Sequence, residues 1–131
     1  MRYLALTLLV IFISSTAFAA QWVTLAKRVD GTVYSIEKGT LIEKGSSIQF
    51  WLKAVPPKPL KLADGREYVK TESHMAILCP QDKATTVKIK YFDKDNNLIE
   101  TEKILTYNNR LIYRDIFPTT IEDYIAANFC N

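Results

Sequence analysis

The chain has one histidine, His74, and its four glycines stand apart at positions 31, 39, 45 and 65. With a single imidazole, histidine-based triads, histidine-rich metal sites and a Cys-x-x-Cys-His haem attachment all lack their parts. Without a glycine-rich loop there is no phosphate cradle. Like charges never run to five or six together, and 17 Lys plus Arg against 14 Asp plus Glu leave a formal +3 spread along 131 residues. That pattern is no nucleic-acid footprint. Cysteine is down to two, Cys79 and Cys130.

Long apolar runs are equally scarce. The one present, Tyr3 to Ile13, is eleven residues, against the roughly 20 that a spanning helix needs. It follows the positive Met1-Arg2 and leads through Ser14-Ser15-Thr16 to Ala17-Phe18-Ala19, an A-x-A cleavage signature. Residues 1–19 are therefore expected to be a signal peptide cut after Ala19. The exported chain, 20–131, has 112 residues and a net charge of +2 once Arg2 is lost. The residues at the cut are Ala20-Gln21-Trp22, with no cysteine to acylate. The expectation is a periplasmic or secreted protein that is not lipid-anchored and has no transmembrane segment after cleavage.

What is present is ordinary globular material. Hydrophobic residues are 48% and charged residues 24%, with seven Tyr and six Phe, so a disordered or low-complexity chain is excluded. The length fits one domain. In an oxidising compartment Cys79 and Cys130 are expected to form one intramolecular disulfide; the alternatives are two buried thiols or a bridge between chains.

From residue 21 onward the pattern is mostly strands. Trp22 to Arg28, Val33 to Glu37 and Ser47 to Lys53 are rich in aromatic and β-branched residues, with turn signals at Asp30-Gly31 and Gly45-Ser46. In the third run Ile48, Phe50 and Leu52 share one face, and Gln49, Trp51 and Lys53 the other. Val55 to Leu60 carries three prolines and is expected to be a stiff connecting loop. After a turn at Asp64-Gly65, Glu67 to Cys79 alternates without a break, which places Cys79 on the more apolar face and His74 on the more polar one. Thr85 to Phe92 then puts Val87, Ile89 and Tyr91 inward against Lys88 and Lys90, and joins Leu98 to Leu105 through the turn Asp93 to Asn97.

The last segment changes period. Thr119-x-x-Glu122 has capping-box spacing, and Ile121, Tyr124, Ile125 and Phe129 recur at helical intervals. A helix of about ten residues is marginal alone. Cys130 at its end suggests that the disulfide pins it to the inner face of the sheet. The expected fold is α+β, mainly β.

Few residues invite a chemical role. Asp93-x-Asp95-x-Asn97 imitates the start of a calcium loop, but Leu98 stands where Gly is needed and Ile104 where Glu is needed. Glu100 and Glu102 share a strand face near Lys94 and Lys103 and read as a solvated edge. His74 reads as a surface residue. No enzyme, metal site or cofactor is expected. What remains is surface chemistry: Trp51, Lys88 and Lys90 are candidates for a protein-binding face. The plainer readings are that Trp51 packs in a second small cluster or a dimer contact, and that the Pro56-Pro57-Lys58-Pro59 loop is only stiff.

Several pieces taken in order resemble the surface-adhesin protein E family of bacterial envelope proteins. They are Trp22, Tyr34-Ser35-Ile36-Glu37 followed by Gly39-Thr40-Leu41, Gly45 to Trp51, Cys79, Tyr91-Phe92-Asp93 before a tight turn, then Pro118, Glu122 and Cys130. The chain departs from that pattern with Asn96-Asn97 where a turn glycine is common and Tyr113 where Trp is common. The resemblance implies an antiparallel sheet of about six strands with a C-terminal helix tied by the disulfide. It also implies binding to host matrix and serum proteins such as vitronectin and laminin, and to haem, by a lipid-anchored member. The functional expectation is an exported, non-enzymatic module that binds a protein partner, a host extracellular-matrix glycoprotein on the family's pattern. The rival is a periplasmic envelope accessory protein with no host ligand. An open sheet edge leaves room for a homodimer, and lysines on the polar faces can blunt it.

Overall fold

The computed structural model describes residues 21–104, 106–108 and 110–130. The expected signal peptide lies outside the described residues. The chain runs through β1 (Trp22–Lys27), β2 (Val33–Glu37), β3 (Ile42–Lys44), β4 (Ser47–Val55), β5 (Leu60–Lys61), β6 (Glu67–Tyr68), β7 (Lys70–Leu78), β8 (Lys83–Phe92) and β9 (Leu98–Lys103). Three two-residue strands follow, β10 (Thr106–Tyr107), β11 (Arg110–Leu111) and β12 (Arg114–Asp115), and then α1 (Ile121–Phe129), the one α-helix among the described residues.

Eight strands form one sheet, ordered β1-β2-β4-β7-β8, with every pairing antiparallel. One edge of β4 is shared: β2 takes Leu52 to Val55, and β3 takes Ser47 to Gln49. The edge of β8 is shared likewise between β9 and β12. The count exceeds the expected six because β3 and β12 are too short to carry a period of their own. The turns form where the sequence places them. Asp30 Oδ1 accepts from the Thr32 amide at 2.8 Å while Gly31 takes φ 98°, a left-handed backbone that favours glycine. At the β8–β9 turn Asp93 Oδ1 accepts from the amides of Asp95 and Asn97, so the aspartate that imitates a calcium ligand is spent on its own turn.

The core fills one face only. Ile36, Phe50 and Ile77 on the sheet and Ile125 on α1 are fully buried, and Ile48, Leu52, Met75 and Ile116 pack with them. At about 25 cal/mol per Å² of apolar area, each fully buried large side chain stabilises by roughly 2 kcal/mol. Cys79 and Cys130 are bonded, with Cα atoms 5.5 Å apart, and the bond ties the end of α1 beside this core.

Four details correct the expectations. The prolines span a shorter connection than Val55 to Leu60, since β4 continues through Val55 and Leu60 opens β5. The run Glu67 to Cys79 breaks at Val69, because β6 pairs with β5 while the Val69 amide bonds the Phe92 carbonyl; Cys79 then sits just past β7, in a 3-10 turn. The cap of α1 is Thr120, not Thr119: Thr120 Oγ1 accepts from the Asp123 amide at 3.2 Å, and Asp123 Oδ2 accepts from the Thr119 amide at 3.2 Å. Tyr124 is 44% exposed, so the stripe that meets the sheet is Ile121, Ile125 and Phe129. On the sheet's inner side, beyond the helix, Ile89 and Tyr91 are only half-buried. There the Tyr91 hydroxyl donates to Glu102 at 2.8 Å; its pKa is pushed up to about 12, by burial first and this bond second. Glu100 pairs with Arg66 at 2.6 Å, not with Lys94 or Lys103.

Candidate functional site

The second face of the sheet, opposite the core, is covered by no helix among the described residues. Strand alternation and register decide which side chains meet there. One cross-strand row runs Trp51 on β4, His74 on β7, Lys88 on β8 and Lys103 on β9. The next row, two residues along, runs Lys53, Glu72, Lys90 and Thr101 on the same four strands. A β-bulge between His74 and Met75 sets this arrangement, because His74 faces Lys88 while Met75 faces Thr86. Val87 is the extra residue.

The three candidate residues therefore come together. Trp51 and His74 stack with ring centroids 5.1 Å apart and planes 18° from parallel. The ammonium groups of Lys90 and Lys88 lie 5.0 and 5.8 Å from the Trp51 ring centroid, within cation–π reach. Trp51 thus anchors a small mixed aromatic and basic cluster. His74 lies on the polar face as expected, yet it is half-buried. Burial first, and the Lys88 ammonium second, hold its imidazole below the ordinary value of 6.5.

Two residues of this face, Trp22 and Lys103, escape a reading of the strands one at a time. Lys53 lies 4.7 Å from the Trp22 ring centroid and extends the face toward β1. Lys103 stands directly opposite Lys88. Lys53 shares the alternation of Trp51 and was legible from period two; Trp22 and Lys103 need the strand order, which no single run reveals.

The carboxylates nearby do little to balance the lysines. Glu72 pairs with Lys70 at 3.7 Å. Glu37 is buried, and its Oε1 accepts from the Gln21 and Gly39 amides, both at 3.0 Å. The Thr40 hydroxyl first, then those amides, hold its carboxyl below the ordinary range. The face presents ammonium groups and aromatic rings, which can take up negative charge and flat apolar groups from a partner.

Other concave features are open. One cleft lies between the β1–β2 loop and α1, lined by Arg28, Tyr34 and Tyr124 among others. Among the described residues no cluster of three or more His, Cys, Asp or Glu is placed to hold a metal ion. No helix among them is long and apolar enough to cross a membrane.

The architecture has solved counterparts. The crystal structure of protein E from non-typeable Haemophilus influenzae superposes with a TM-score of 0.59 at 15% identity, covering 88% of this chain and 78% of that one. Crystal form II of Haemophilus influenzae protein E gives 0.61 at 15% identity over 88% and 91%. The selenomethionine form gives 0.60 at 13% over 88% and 89%. At such identities the likeness is one of fold. No curated protein sequence matches the chain. The sequence profile of surface-adhesin protein E matches residues 22–131, from the first strand to the last residue. This chain belongs to the surface-adhesin protein E family.

Proposed function

We propose that the protein is an exported, non-enzymatic adhesin module that binds a host extracellular-matrix glycoprotein through the outer sheet face, with Trp51, Lys88 and Lys90 at the centre. The observation that carries this reading is the Trp51–His74 stack with two lysines at its rim, on a face that no helix covers among the described residues. Aromatic side chains partly desolvated among charged groups are what protein interfaces use as anchors. Family membership favours the same class. The test is binding of the purified protein to immobilised laminin and vitronectin, with Trp51→Ala and K88E/K90E as variants. Saturable binding that both variants weaken supports the reading; no binding to either surface, or equal binding by all three proteins, overturns it.

A second reading is a periplasmic accessory protein with no host ligand. It is favoured by Ala20-Gln21-Trp22 at the expected cleavage point, where a lipid-anchored member has a cysteine. Protease added to intact cells separates the two readings: cleavage of the protein supports surface display, and full protection supports the periplasmic role.

A further inference from the structure

The outer face holds a charge arrangement that the fold does not need. Lys88 and Lys103 stand directly opposite each other across β8 and β9, and Lys88 also faces His74 across β7. Like charges in directly opposed positions are unfavourable in a sheet. Lys53 and Lys90 flank Glu72 on either side, yet the carboxylate of Glu72 is paired with Lys70. Four lysines, at positions 53, 88, 90 and 103, thus meet one carboxylate that is already engaged, in an exported chain whose total charge is only +2. The positive charge is local, and it is concentrated around the ring of Trp51.

Spacing narrows the partner. Lys88 and Lys90 are two residues apart on one strand, which sets their stems about 6.6 Å apart, and Lys103 lies about 5 Å to the side of Lys88 on the next strand. An extended peptide with an acidic side chain at every second position has the same repeat of about 6.6 Å along its length. Glu72 already shows that this face seats a carboxylate between lysines. We infer that the outer face docks an extended acidic segment of a protein partner, its carboxylates meeting Lys88, Lys90, Lys103 and Lys53 while an apolar side chain rests against Trp51. This rests on the protein-binding reading above and assigns the partner's chemistry.

The test uses a synthetic peptide with glutamate at every second residue, titrated into the purified protein at two salt concentrations and followed by Trp fluorescence and calorimetry. The expected result is saturable binding that weakens with salt, and weakens at least tenfold in K88E/K90E. The same change of charge made off the face, in K61E/K94E, is expected to alter affinity less than twofold. K88Q/K90Q, which removes charge without reversing it, keeps the result readable if K88E/K90E folds poorly. Equal losses in the two charge-reversal variants overturn the inference, because they mark attraction to net charge alone. So does a sulfated heparin oligosaccharide or a phosphatidylglycerol vesicle that binds this face while the acidic peptide does not. If laminin or vitronectin binding is lost in K88E/K90E while the acidic peptide fails to bind wild type, the face is right and the acidic-segment chemistry is refuted. If matrix binding survives in K88E/K90E, both the inference and the placement of the site fall.

Discussion

Phe50 and Lys103 lie on opposite faces of the same sheet and obey different rules. Phe50 is fully buried at the centre of the core, so Phe50→Ala removes contacts on all sides and should cost about 3–5 kcal/mol, read as a fall in denaturant midpoint at unchanged slope. Lys103 is exposed and opposes Lys88. Lys103→Glu replaces a like-charge pair by an opposite one, so it should raise stability by a few tenths of a kcal/mol while weakening any acidic ligand. Opposite signs for stability and binding would identify a residue kept for its surface chemistry. His74 gives the pH dependence. Its folded pKa is lowered, by burial and then by Lys88, so the unfolded chain binds its proton first. The stability this contributes is present above about pH 6.5 and is lost as the pH falls toward the lower folded value. Unfolding curves across that window should show the slope in wild type and a flatter line in His74→Gln, and no second histidine obscures the result.

Among the elements, α1 depends most on partners. Nine residues are too few for a helix to persist alone in water; Ile125 in the core and the Cys79–Cys130 bond hold it. Closing a loop with a separation of 51 residues constrains the unfolded chain by about 4 kcal/mol on the loop-entropy account. The C79S/C130S variant should lose most of that, and amide exchange in α1 should accelerate more than in β4 or β7. Protection in α1 unchanged by reduction would show that the bond is incidental. At the other end of the helix Thr120→Ala should cost about 1 kcal/mol, whereas Thr119→Gly should raise stability because Thr119 holds φ 66°. The same element shows what the sequence can and cannot disclose. The helix, the hairpin turns and the inward set Ile48, Phe50 and Leu52 were legible because each follows from a local period or turn residue. The cap lies one residue beyond the expected Thr119, because two threonines are adjacent and only the backbone decides between them. Tyr124 shares the helical spacing of Ile121 and Ile125 and is nonetheless exposed, because periodicity cannot report where the sheet stops. The bulge at Val87, the break at Val69 and the strand β12 arise from pairing between separate segments, and β3 is a three-residue hairpin arm too short to show a period. Of the candidate face, Trp51, Lys88 and Lys90 were legible as surface groups, and their meeting was not.

At the scale of the molecule the two faces of one sheet divide the work. The inner face is closed by α1 and the disulfide, which fixes the sheet; the outer face is left to hold lysines and tryptophans in registered rows. The central claim is that this outer face is where a negatively charged partner docks. His74 lies in the middle of it, between Trp51 and Lys88, and is the chain's only imidazole. The most direct measurement is the NMR titration of the His74 ring protons, free and with saturating alternating-glutamate peptide. The account predicts a midpoint below 6.5 in the free protein and a clear rise when carboxylates neutralise the surrounding lysines. A His74 midpoint that stays put with the peptide bound would place the ligand elsewhere, on the cleft between the β1–β2 loop and α1 or beyond, and would contradict the claim.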